Sequence, residues 1–173
     1  MFRISKKGDY AIFILGFLSR QGAVAGSACV VSAQEVADHS NINRSVIANL
    51  LKLLTQAGLL ESTRGIRGGY RLAVPAKEMS LREILEPIMG SFVLVDCATN
   101  LAGTPLTDDP EDLSHSCNIN SLCASKHAMR LLHQRIARVL ENTTLGELIE
   151  IKEEPLRSCA TPPSPLPAIG GQR

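Results

Sequence analysis

The residues best equipped for chemistry in this 173-residue chain are its cysteines, Cys29, Cys97, Cys117, Cys123 and Cys159. Three of them, Cys97, Cys117 and Cys123, fall in one stretch with the spacing Cys-x19-Cys-x5-Cys. Thiolates are the soft ligands that iron–sulfur clusters and zinc require, and three in one loop can hold one face of a cluster. The spacing matches no zinc ribbon or ferredoxin pattern. By spacing alone, three such cysteines serve equally well as small buried hydrophobes. Cys123 is expected near the start of a helix, whose positive end lowers a thiol pKa and favours the ligating thiolate. Cys29, in a link, and Cys159, in a tail, read as structural or incidental.

A second group is polar and basic. Asn43, Arg44, Ser45 and Asn49 stand along the start of one short segment, and Arg64 and Arg67 flank a glycine a little further on, with Arg71 behind them. Residues 1–90 hold eleven Lys and Arg against seven Asp and Glu, and residues 91–173 hold seven against ten. The first half can therefore approach a polyanion and the second cannot. With no Trp and only six Tyr and Phe, stacking of single-stranded bases is excluded as the main mode of binding. No phosphate-binding loop and no nucleophile–base constellation points to an enzyme.

The elements that must position these residues are legible from caps and periodicity. Ser5–Ser19 carries Tyr10, Ile14, Phe17 and Leu18 at helical spacing. Ser32 with Glu35 forms a capping box for a second helix ending near His39–Asn41. After a short polar link, Asn43 caps a third helix through Ala57, with Val46, Ile47, Leu50, Leu51 and Leu54 on its apolar face and Gly58 to stop it. Two helices joined by a tight link make a helix-turn-helix. Two short strand-like runs around Arg64-Gly-Ile-Arg-Gly-Gly69 form a basic hairpin. Ser80 opens another helix, expected to end or bend at Pro87. A long helix is predicted from about Ser121, its seam made of Met129, Leu132, Ile136 and Val139. Thr143 or Thr144 caps a last short helix through Ile151.

The fold class is therefore mainly α with a small β-wing, a winged helix-turn-helix plus a long C-terminal dimerisation helix. We divide the chain into a DNA-binding domain at 1–90, a cysteine loop and dimerisation helix at 91–151, and a disordered tail at 152–173, rich in Pro, Gly and Ser. In such a fold the recognition helix reads base edges and the wing reaches phosphates or the minor groove. Arginine gains most from the negative potential of a narrow minor groove, which singles out Arg64. Winged helices also serve as protein-binding modules, which remains a second reading. No apolar run reaches the roughly 20 residues that span a bilayer, and Ala11–Leu18 lacks a signal-peptide cleavage site. A cytoplasmic protein without a membrane partner is expected.

Four stretches resemble a known group: Arg3–Ala11 (RISKKGDYA), Leu53–Leu60 (LLTQAGLL), Arg64–Ala73 (RGIRGGYRLA) and Ser80–Ile84 (SLREI). They are similar to the iron–sulfur winged-helix regulators of the Rrf-two superfamily, of the IscR, NsrR and SUF-system type. The resemblance spans about residues 1–150, and its most specific piece is the Arg-Gly-x-x-Gly-Gly-Tyr wing. It implies a homodimer on a partly palindromic double-stranded DNA operator, with the long helices crossing at the interface. It also implies a 2Fe–2S or 4Fe–4S cluster on Cys97, Cys117 and Cys123. For the fourth ligand it offers Asp9, matching the aspartate that NsrR-like members contribute from the opposite subunit, or His127, resembling the histidine of IscR-like members. Asp9 is the first choice, although an acid there also suits a helix N-terminus. Two departures stand out. Ala48 occupies the position of a base-reading glutamate in IscR, and the acidic Asn100–His115 stretch lengthens the first cysteine gap. A regulator without a cluster, using thiol redox or zinc, is the alternative.

Overall fold

The computed structural model describes residues 4–65, 67–94 and 122–150, and the tail at 152–173 lies outside them. The element order is α1 (Lys6–Arg20), α2 (Ala33–Ser40), α3 (Arg44–Gln56), β1 (Leu60–Thr63), β2 (Gly69–Leu72), α4 (Leu81–Met89), α5 (Lys126–Asn142) and α6 (Leu145–Glu150).

Helix starts follow the capping signals. Ser5 Oγ accepts the Gly8 N–H at 3.2 Å. At α2, Ser32 and Glu35 complete a reciprocal box, Ser32 N–H donating to Glu35 at 2.7 Å and Glu35 N–H to Ser32 at 3.2 Å. Ser80 and Glu83 repeat the arrangement at α4. Each such cap is worth about 1 kcal/mol. The turn between α2 and α3 is closed by Asn41 at φ 52°, the left-handed conformation that asparagine tolerates better than most residues.

The amphipathic pattern decides the packing. α1 buries Ala11, Ile14, Leu15, Phe17 and Leu18, and α3 buries Ile47, Leu50, Leu51 and Leu54 in the same core. Each of these larger side chains contributes about 1.5–3 kcal/mol when withdrawn from water. α4 closes this core with Leu81, Ile84 and Leu85, while Leu140 and Leu145 enter it from α5 and α6. α1 and α4 approach closely at Gly8, where a Cβ would stand 2.9 Å from both Leu85 Cδ2 and Met89 Sδ. The last segment is tied down through its backbone. Leu145 N–H donates to Met79 and Gly146 N–H to Ala76, both at 2.8 Å.

Two expectations need correction. Pro87 lies within α4, which runs on to Met89 before Gly90 ends it. A proline near a helix end forfeits little, because only the last turn remains to be disrupted. α5 starts at Lys126 rather than Ser121, and Ser125 at its N-cap makes no side-chain capping bond. On α5, Leu131, Leu132 and Val139 are 49%, 42% and 61% exposed, and Met129 and Ile136 half-buried, so this apolar side is only partly covered by the described residues. Among the described residues no helix is long and apolar enough to cross a membrane.

Candidate nucleic-acid interface and cysteine site

With its apolar side committed to the core, α3 leaves Ser45, Ala48, Asn49, Lys52 and Gln56 exposed. Asn43 Oδ1 accepts from Ser45 N–H at 2.9 Å and from Ser45 Oγ at 2.8 Å, so both side chains are engaged in starting the helix. Asn49 sits one turn further along the exposed face. The Arg44 guanidinium stands 3.9 Å from the Asp38 carboxylate, with both side chains largely exposed. Such a pair contributes between nothing and about 1 kcal/mol, so Arg44 is easily released. Lys52 and Gln56 were missed by the sequence reading. Their signal was the same three- and four-residue spacing that places Asn49.

The hairpin is antiparallel, with Leu60 opposite Leu72 and Thr63 opposite Gly69. β2 is pinned on its other side by Val31, which exchanges two hydrogen bonds with Tyr70, at 2.9 and 2.8 Å. Only glycine permits this. A Cβ on Gly69 would lie 2.6 Å from the Val31 carbonyl oxygen. At the tip, Gly65 adopts φ 117°. Arg64 and Arg67 are exposed there and make no ion pair among the described residues. Arg71 behaves otherwise. It forms an ion pair with Glu61 at 2.6 Å and donates to the Ser27 carbonyl oxygen at 2.7 Å, tying the wing to the loop before α2. Among the described residues, then, Arg64 and Arg67 meet no carboxylate and can face a polyanion, whereas Arg71 is engaged.

Of the three clustered cysteines, Cys123 is described, while Cys97 and Cys117 lie outside the described residues. Cys123 is a free, half-exposed thiol shortly before α5. Its Sγ is 3.3 Å from Ser125 Oγ. That contact, then the backbone N–H of Ser125, lowers the thiol pKa below its ordinary value, with smaller help from Lys126. A thiol biased towards thiolate suits a soft metal, so the donor chemistry at Cys123 fits an iron–sulfur centre. Asp9 is exposed in the first turn of α1, and His127 is exposed in the first turn of α5. Among the described residues no three His, Cys, Asp or Glu side chains gather as a metal site. His133, two turns along α5 from His127, is buried within the protomer.

Three packed helices, a capped second helix of a helix-turn-helix and a hairpin with free arginines at its tip define a winged-helix DNA-binding protein. The family model Rrf2 (the Rrf-two group), described as iron-dependent transcriptional regulator, matches residues 4–151, and the chain belongs to that family. It is a DNA-binding transcription regulator and not an enzyme. It is 28% identical over 151 residues to the HTH-type transcriptional regulator NsrR of Oceanobacillus iheyensis, covering 87% of this chain and 92% of that protein. Among solved structures, the oxidised form of CymR from Staphylococcus aureus is 26% identical with a TM-score of 0.59, covering 88% of this chain and all of that one. CymR of B. subtilis, the global cysteine regulator, shares the fold at 24% identity and a TM-score of 0.64, with 88% and 100% covered.

Proposed function

We propose that this protein is a homodimeric regulator whose operator affinity is set by an iron–sulfur cluster, 2Fe–2S or 4Fe–4S. Cys97, Cys117 and Cys123 would hold it, with Asp9 of the opposite subunit as first choice for the fourth ligand and His127 as the alternative. The observation that carries this reading is the activated, accessible thiol of Cys123 at the head of α5, in a chain whose family is described as iron-dependent. An oxygen ligand is weaker than a thiolate, which suits a centre that must be given up as a signal. When bound, such a cluster supplies a group that is gained, lost or oxidised as iron, nitric oxide or redox conditions change. The protein's own part is to hold it beside α5 and to pass its state to the paired recognition helices. Asn43, Arg44, Ser45 and Asn49 would meet base edges and phosphates, and Arg64 and Arg67 the minor groove or backbone. A coupling of about 1–3 kcal/mol between the two sites suffices for regulation.

A second reading keeps the DNA site and makes the cysteines thiol redox sensors without a metal. The relative solved in an oxidised form favours it, as does the lowered thiol pKa of Cys123. Anaerobic purification separates the two. A cluster protein absorbs in the visible range, contains iron and sulfide, and is bleached by Cys117→Ala. A colourless anaerobic preparation without iron or sulfide overturns the cluster. Operator binding that then still responds to oxidant establishes the thiol reading.

A further inference from the structure

His133 is the one buried polar side chain among the described residues, and neither the DNA interface nor the cysteine site uses it. It stands on α5 facing the segment that leaves α4. Its ring stacks on Phe92, with centroids 5.1 Å apart and planes inclined by 10°. Its Nδ1 accepts the Leu94 N–H at 3.4 Å. A nitrogen that accepts carries no proton, so this contact requires the neutral imidazole with its hydrogen on Nε2. The ring lines a cavity of ≈ 230 Å³ between α4, Ser91–Phe92 and α5. The charged groups of this cavity are Arg82 and Glu86 from α4 and Arg138 and Glu141 from α5. The 91–94 segment contributes none. Arg82 bridges the two helices by pairing with both Glu86 and Glu141, so its cation is fixed near the imidazole.

We infer that His133 is a proton-sensitive latch, whose neutral ring fastens Ser91–Leu94 to α5 and whose protonation releases that segment. Protonated, Nδ1 would present an N–H to the Leu94 N–H, in a buried site beside a guanidinium. Both effects oppose the cation. Burial first, then the Arg82 charge, holds the imidazole pKa below its ordinary 6.5. The latch is therefore closed at neutral pH. Its contribution begins to fall as pH drops below 6.5 and is gone once pH passes the lowered value. Leu94 precedes Cys97 by three residues in sequence, and His133 lies on the helix that follows Cys123. Acidification thus acts at both flanks of the cysteine segment. For its consequence at the operator, this inference rests on the proposed function.

The test is a nitrogen-15 NMR titration of the full-length, metal-free protein from about pH 8 to about pH 5. The expected result is an unprotonated Nδ1 at neutral pH that titrates below 6.5, with the Leu94 amide signal moving in the same transition. His133→Asn keeps an acceptor close to the Nδ1 position but takes no proton, and the Leu94 transition should vanish. Phe92→Leu keeps the apolar cover and removes the ring contact, and it should move the Leu94 midpoint. A Leu94 signal indifferent to His133 protonation, or an unchanged transition in both variants, overturns the latch. Because no cofactor is present in the titration, that failure leaves the cluster reading standing. An anaerobic preparation of the same chain without iron or sulfide would sink the cluster and leave the latch.

Discussion

Replacing Gly69 with alanine tests how the wing is aimed. The new Cβ would stand 2.6 Å from the Val31 carbonyl oxygen and 2.8 Å from its carbon, both backbone atoms that cannot rotate away. The Val31–Tyr70 bridge must therefore open, losing hydrogen bonds of 2.9 and 2.8 Å. At about 1 kcal/mol net for each backbone bond, the cost is about 2 kcal/mol. In a protein of this size that lowers Tm by about 4–8 °C. The Leu60–Leu72 end of the hairpin stays anchored through Leu72 N–H to Ala23 and Ala73 N–H to Leu59. The damage is therefore local, and hydrogen exchange should accelerate at the Val31 and Tyr70 amides while the α3 amides remain protected. Operator affinity should fall because Arg64 and Arg67 are no longer held beside α3. Unchanged exchange at Tyr70 with an unchanged Tm would refute the close-approach argument. Faster exchange at Tyr70 with undiminished DNA binding would refute the role given to the wing.

Further expectations follow from the same geometry. Arg64→Ala should weaken operator binding and flatten the salt dependence of log K by about 0.9 if the arginine meets one phosphate, which mobility shifts over a salt series measure. Arg71→Ala should instead act on stability, since Arg71 is spent on Glu61 and Ser27; a Tm loss without a change in salt slope is the signature. Val139→Asp, at a position 61% exposed in the protomer, should convert the proposed dimer to a folded monomer in sedimentation experiments while leaving helix content intact. Leu50→Ala should cost about 2–5 kcal/mol in urea unfolding, because that side chain is 1% exposed in the centre of the core.

Local chemistry is written into the chain order. Ser32 with Glu35 and Ser80 with Glu83 announce two helices because each box closes within three residues, and it needs no distant partner. Asn43, the α3 apolar face and Gly58 fix the recognition helix within a residue or two for the same reason. The wing is legible because glycines in a basic hairpin have few other uses. The start of α5 was misplaced by five residues, since no side-chain cap marks it. The resemblance added the family, which composition and periodicity alone did not carry.

What tertiary structure decided depends on residues far apart in sequence. Arg64 and Arg71 look alike along the chain, yet one makes no ion pair among the described residues and the other is held by a carbonyl 44 residues away. His133 belongs to the polar register of an exposed helix until Phe92 and Leu94 are folded over it, and only then does it become a buried, neutral ring. Gly69 is a turn residue by sequence and a steric requirement only because Val31 lies against it. Sequence fixes what can be settled within a helical turn, because capping and periodicity act over three or four residues. Which charges are spent and which remain for DNA is settled by contacts that exist only once the core has brought distant segments together.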